Sequence, residues 1–140
     1  MSSTGLEVFD KTLQTTNIWL NGIGETLGPD KQRCYHAMRA VLFALRDRLT
    51  PEQAFHLSAE LPMLIRGIYW EGYRPTDKPD RQRTKEDFLE AVNSHIGNIQ
   101  PMNVEDATTA VFRVLAEHVD PGEAEKVKQN LPEPIRVMFP

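Results

Sequence analysis

A chain of 140 residues is long enough for one domain that buries about two thirds of its unfolded surface, so no disulfide or metal staple is needed to hold it. Its 16 basic and 20 acidic residues leave a net charge of −4, which works against a general nucleic-acid or anionic-membrane binder that would draw on surplus Lys and Arg. Cys34 is the only cysteine, which excludes an intrachain disulfide and suits a reducing compartment.

The first residues, Met1 to Glu7, lack the basic-then-apolar pattern of a signal peptide, and no apolar run reaches the length of a membrane span. A cytoplasmic protein is expected. From Leu6 the positions Leu6, Phe9, Leu13, Thr16, Leu20, Ile23 and Leu27 alternate three-four spacings and predict one long amphipathic helix. Gly22 and Gly24 each weaken its interior by about 1 kcal/mol relative to Ala, which predicts fraying or a close helix contact there. Gly28-Pro29-Asp30 ends it, the glycine suited to a left-handed residue and Asp30 to capping the next helix.

The second helix is predicted from about Asp30 to Leu49, with Tyr35, Met38, Val41, Leu42, Leu45 and Leu49 inward. Thr50 and Gln53 form a capping box around Pro51, and Asp120-Pro121-Gly122-Glu123 repeats the device. Leu61-Pro62 and Leu131-Pro132 supply a second shared break, so two long helices precede two short ones in each half. Between the halves, Glu71 to Arg83 is rich in proline and charge and reads as an exposed connector. Thr84 caps the fifth helix, a residue near Asn103 starts the sixth, and a final short helix carries Ile135, Met138 and Phe139. Nothing in the pattern predicts a sheet.

The two halves are copies. A shift of seventy residues brings Ala40, Val41, Leu45, Pro51, Ala54, Leu61, Pro62, Ile65 and Arg66 onto identical residues from Ala110 to Arg136. Chance would give roughly two such identities over thirty positions. With the offset changed by one, Leu20, Ile23 and Leu27-Gly28 meet Leu89, Val92 and Ile96-Gly97, which extends the duplication to the first helix. The predicted fold is therefore all-α: two tandem, sequence-related four-helix units packed into one pseudo-two-fold helical domain. Unit one covers about 5–74, the connector about 75–83 and unit two about 84–140.

Three strings carry a family resemblance: Phe9 to Asn17, Leu61 to Tyr69 with Glu71-Gly72-Tyr73, and His118 to Glu123. Together they resemble the bacterial family catalogued as domain of unknown function 2267. The resemblance spans nearly the whole chain and implies a small all-helical protein with a duplicated unit. It brings no activity, substrate or catalytic residue onto these positions.

Candidate sites come from the residues themselves. Arg66 and Arg136 occupy the same place in the two units, each downstream of an acid, Asp47 or Glu117. The structural expectation is that each meets its own acid or the carbonyl end of the preceding helix. The functional one is that both converge on a carboxylate or phosphate, which the guanidinium fork suits.

Ile68 to Pro75 is the densest aromatic stretch, and Tyr73, Arg74, Arg81 and Arg83 are residue types that serve at interfaces with a protein or a small anionic ligand. The plainer reading buries Tyr69 and Trp70, caps the helix with Gly72 and leaves the arginines solvated. Glu52, His56 and Glu60 share one helical face and form a weak candidate for a metal or an enzyme site, but the second unit has Gly122, Lys126 and Asn130 at those positions.

No nucleophile elbow, phosphate loop, zinc spacing or dinucleotide fingerprint is present, so no cofactor is expected. The expected function is a non-enzymatic binding or regulatory module, acting through the cleft between units or through the aromatic and arginine connector. A helical enzyme or metal protein using Glu52, His56 and Glu60 is the alternative.

Overall fold

The computed structural model describes residues 3–98 and 101–140; Met1 and Ser2, and Ile99 and Gln100 of the expected second unit, lie outside the described residues. Among the described residues there are eight helices and no strand. They are α1 (Glu7–Leu27), α2 (Lys31–Arg48), α3 (Pro51–Ser58), α4 (Met63–Trp70), α5 (Lys85–Ile96), α6 (Val104–His118), α7 (Pro121–Gln129) and α8 (Glu133–Arg136). None is long and apolar enough to cross a membrane.

The helix boundaries follow from local chemistry. The Asp30 carboxylate accepts from the backbone N–H groups of Gln32 and Arg33, and Thr50 and Gln53 complete their reciprocal capping box. Gly28 and Gly97 end α1 and α5 at φ 96° and 65°, a region that glycine enters without steric penalty. At Gly22 the helix does not fray: a Cβ there would stand 3.0 Å from Cγ2 of Val114, so the missing side chain lets α6 lie close against α1.

Packing is reciprocal between the halves. α1 lies along α6 and α5 lies along α2, while α2 meets α6 and α3 meets α7. One Arg113 guanidinium nitrogen in α6 donates to the Gly22 carbonyl oxygen at 2.9 Å and to the Thr26 hydroxyl at 3.2 Å in α1. A single cluster of buried residues runs from Trp19 to Phe139 through both halves.

α2 departs from the one-sided helix expected of it. Cys34, Ala37, Met38 and every residue from Ala40 to Arg46 are buried. Five neighbours (α1, α3, α4, α5 and α6) surround it, and the alanines keep it narrow enough to be enclosed. Phe112 and Phe139 stack with ring centroids 3.9 Å apart, which pins the residues that follow α8 to α6.

Candidate functional site

The duplicated arginines do the same thing twice. Arg66 Nε and Nη2 donate to the carbonyl oxygens of Ser58 and Leu61 at 3.0 and 2.8 Å. Arg136 donates from the same nitrogens to Lys128 and Leu131 at 3.1 and 3.0 Å, which are the positions seventy residues on. Each guanidinium thus closes the end of the short helix before it, satisfying carbonyls that have no helical partner. Both guanidinium groups are bonded within their own unit, and neither bonds Asp47 or Glu117.

Asp47 is engaged elsewhere, in an anchor that holds the connector. Arg46 is 4% exposed and donates from Nη1 to the carbonyl oxygens of Tyr69 and Glu71 at 2.7 and 2.6 Å. Its Nε donates to Asp47 Oδ1 at 3.1 Å, and its Cζ lies 4.1 Å from the Phe43 ring centroid and 5.4 Å from that of Tyr73. A charge this buried is tolerable because the carboxylate, carbonyls and ring faces replace its water.

From there the anchor extends outward. The Asp80 N–H donates to the Asp47 carbonyl oxygen at 2.7 Å, and Lys78 Nζ lies 4.0 Å from Asp47 and 3.2 Å from Asp80. The connector is consequently docked, with Lys78, Pro79, Asp80 and Gln82 half-buried. Tyr73 packs on Trp70 at 4.9 Å between centroids rather than standing free, and burial followed by the nearby Asp47 charge pushes its hydroxyl pKa up. Tyr69 is fully buried and its hydroxyl donates to the Ala54 carbonyl oxygen at 2.8 Å, while Arg74 remains exposed.

This docked strap and the end of α2 enclose a groove of about 600 Å³ lined by Arg48, Lys78, Arg81 and Arg83 with Asp77 and Asp80. Arg48 Nε donates to the Gln82 carbonyl oxygen at 2.6 Å, which fixes its head at the groove. Burial, then the like charge of Arg83, depresses the Arg48 pKa, with Asp80 opposing. Arg81 and Arg83 are exposed, and neither guanidinium is bonded to another described residue. The Gln82 side-chain oxygen is buried without a partner among the described residues.

Arg48 had no motif to announce it. Its one sequence signal is a cation in the last turn of a helix, which ordinarily serves the helix dipole. The fold places it beside two residues more than thirty positions away that the sequence had singled out.

Across α3 and α7 lies a smaller cleft of about 290 Å³ lined by Glu52, His56, Glu123, Lys126 and Asn130 among others. His56 Nε2 stands 3.8 Å from Glu52 in an exposed pair. Glu60 turns away from them: its carboxylate accepts the Asp120 N–H at 3.0 Å, capping α7 from the opposite unit. Among the described residues no group of three or more His, Cys, Asp or Glu side chains is placed to hold a metal ion.

Of the remaining histidines, His118 stacks on Trp19 at 5.2 Å and His95 meets the Phe43 ring edge-on at 5.4 Å. Burial lowers the His95 pKa. Cys34 is buried with its thiol 3.5 Å from the Gly28 carbonyl oxygen, and burial followed by the Asp30 charge raises its pKa, which keeps it an unreactive thiol.

Residues 16–138 match the family model described as "Uncharacterized conserved protein (DUF2267)", which is most of the chain. No curated protein matches it.

Proposed function

The chain belongs to the DUF2267 family, and we propose that it is a non-enzymatic, cytoplasmic binding module whose two units, related by an approximate two-fold axis, present the connector groove to a multiply charged anion of the phosphate class. The observation that carries this reading is the pair of guanidinium groups, Arg81 and Arg83, without partners among the described residues and beside Arg48 on a docked strap. Like charges gathered at one groove repel one another, and a bound anion removes that repulsion. On a chain of net charge −4 such a concentration of positive charge is local and deliberate in its geometry.

The guanidinium forks offer paired N–H donors to phosphate oxygens, and Lys78 adds a further cation at the same wall. Asp77 and Asp80 give the groove acceptors for hydroxyl or ammonium groups attached to the anion. Catalysis is no part of the reading, because no Ser, Thr, Cys or His lines the groove. The module holds rather than transforms.

Thermal denaturation in the presence of inorganic phosphate, pyrophosphate and sulfate at constant ionic strength tests it. A melting temperature that rises with pyrophosphate in the wild type, and not in the Arg81→Ala, Arg83→Ala double variant, supports the reading. An equal response of both proteins to all three salts contradicts it.

A further inference from the structure

The two units cap their third helices differently. In the first, the Gln53 side chain returns to the Thr50 N–H at 3.0 Å and closes the capping box. Seventy residues on, Asp120 and Glu123 have the same spacing, but the Asp120 N–H is already taken by Glu60 Oε1 of the other unit at 3.0 Å. Glu123 is thereby released from its local role.

The released carboxylate lines the cleft between α3 and α7, where it is half-buried and has no partner among the described residues. Lys126, one turn on along the same wall, has none either, although residues three apart on a helix are placed to pair. Burial raises the Glu123 pKa, with Lys126 and His56 opposing, so the fold holds this charge where water solvates it less well. An unpaired carboxylate beside an unpaired ammonium in one cleft is an arrangement that a ligand completes.

The chemistry of the walls narrows what that ligand is. Every residue lining the cleft is polar, which gives an apolar solute no surface to share. A simple anion meets Glu52 and Glu123, and a simple cation meets Lys126; a molecule that carries both charges answers both. Glu123 and Lys126 are about 4.5 Å apart along the helix axis, which calls for charges separated by only a few bonds. The cleft volume of about 290 Å³ is at the small end for ligand sites. Both walls are set before binding, since Thr50 and Gln53 lock each other and the Asp120 carboxylate accepts the Gly122 and Glu123 N–H groups.

We propose that the cleft between α3 and α7 binds a small zwitterion of the amino-acid class, its ammonium group on the Glu123 carboxylate and its carboxylate on the Lys126 ammonium, with His56 on the opposite wall. The site shares no residue with the connector groove. Titration of L-alanine, β-alanine and γ-aminobutyrate into the isotope-labelled full chain, followed by backbone amide shifts at constant ionic strength, tests it. At least one of the three should give saturating shifts confined to α3 and α7, with a dissociation constant on the order of 1 mM, while acetate and methylammonium should bind at least about tenfold more weakly. Glu123→Gln and Lys126→Gln, which each remove one charge and keep the side chain's length or nearly so, should each weaken binding at least about tenfold in a protein whose remaining spectrum is unchanged. The proposal is overturned if none of the three saturates, if either singly charged probe binds as tightly, if the shifts centre on the connector, or if either variant keeps the wild-type affinity.

Discussion

Arg46 donates a 2.7 Å hydrogen bond to the carbonyl oxygen of Tyr69, so a buried cation in the last turn of α2 closes the end of α4. The same nitrogen bonds the Glu71 carbonyl oxygen, and the neighbouring Asp47 holds Lys78 and Asp80. One residue thereby sets where the short helix stops and where the connector begins.

Replacing it should be severe. Arg46→Ala leaves the Tyr69 and Glu71 carbonyls without this donor and the half-buried Asp47 without its nearest cation, and should lower stability by about 3 kcal/mol in urea unfolding. Arg46→Lys should recover little of that, because an ammonium cannot span both carbonyls, the carboxylate and the Phe43 ring at once.

The paired arginines predict a symmetry of energies. Arg66→Ala and Arg136→Ala each remove the same two bonds to the helix before, and each should cost about 1 kcal/mol. Because each set of bonds lies within its own unit, the double variant should show an additive loss in the same denaturation measurement.

At Gly22 the sign opposes helix propensity. Alanine favours the helix by about 1 kcal/mol, but its Cβ would stand 3.0 Å from Val114 Cγ2 across the α1 and α6 contact. The tight contact should win, so Gly22→Ala should destabilise by about 1 kcal/mol net. Equilibrium unfolding of the two proteins decides the sign.

Glu123 predicts a pH dependence. Burial, opposed by Lys126 and His56 and reinforced by Glu60 and Asp120, raises its folded pKa. The folded state therefore binds a proton more readily than the unfolded one, and this residue's contribution to stability falls as pH rises from the ordinary carboxylate pKa through the raised one. Glu123→Gln should stabilise the protein at neutral pH by about 0.5 kcal/mol and should lose that advantage at pH below the ordinary carboxylate value. Melting curves of both proteins across that range provide the check.

How much of this was legible beforehand depends on whether the signal was local. Asp30, Thr50 with Gln53, Thr84 and Asn103 cap where the sequence places them, because a cap is decided within three residues. The break at Leu61-Pro62 was readable for the same reason. The all-round burial of α2 was not, because it arises from five neighbours that no local period encodes, and Arg39 and Arg46 interrupt the apolar pattern.

Arg46 was hidden further by the repeat itself, since Ala116 stands at its counterpart. The connector's arginines were visible as residue types, but their convergence with Arg48 depended on Asp80 docking against Asp47. Glu60 had the right spacing to share a face with His56, and only the fold turned it toward Asp120.

Calorimetric titration of pyrophosphate into the full chain tests the anion groove most directly. The account predicts one site per chain with a dissociation constant on the order of 100 µM, weakened by added salt and lost when Arg48 and Arg83 are replaced by alanine in a protein that keeps its helical content. Heat indistinguishable from dilution in the wild type, or binding that persists in that double variant, would contradict it.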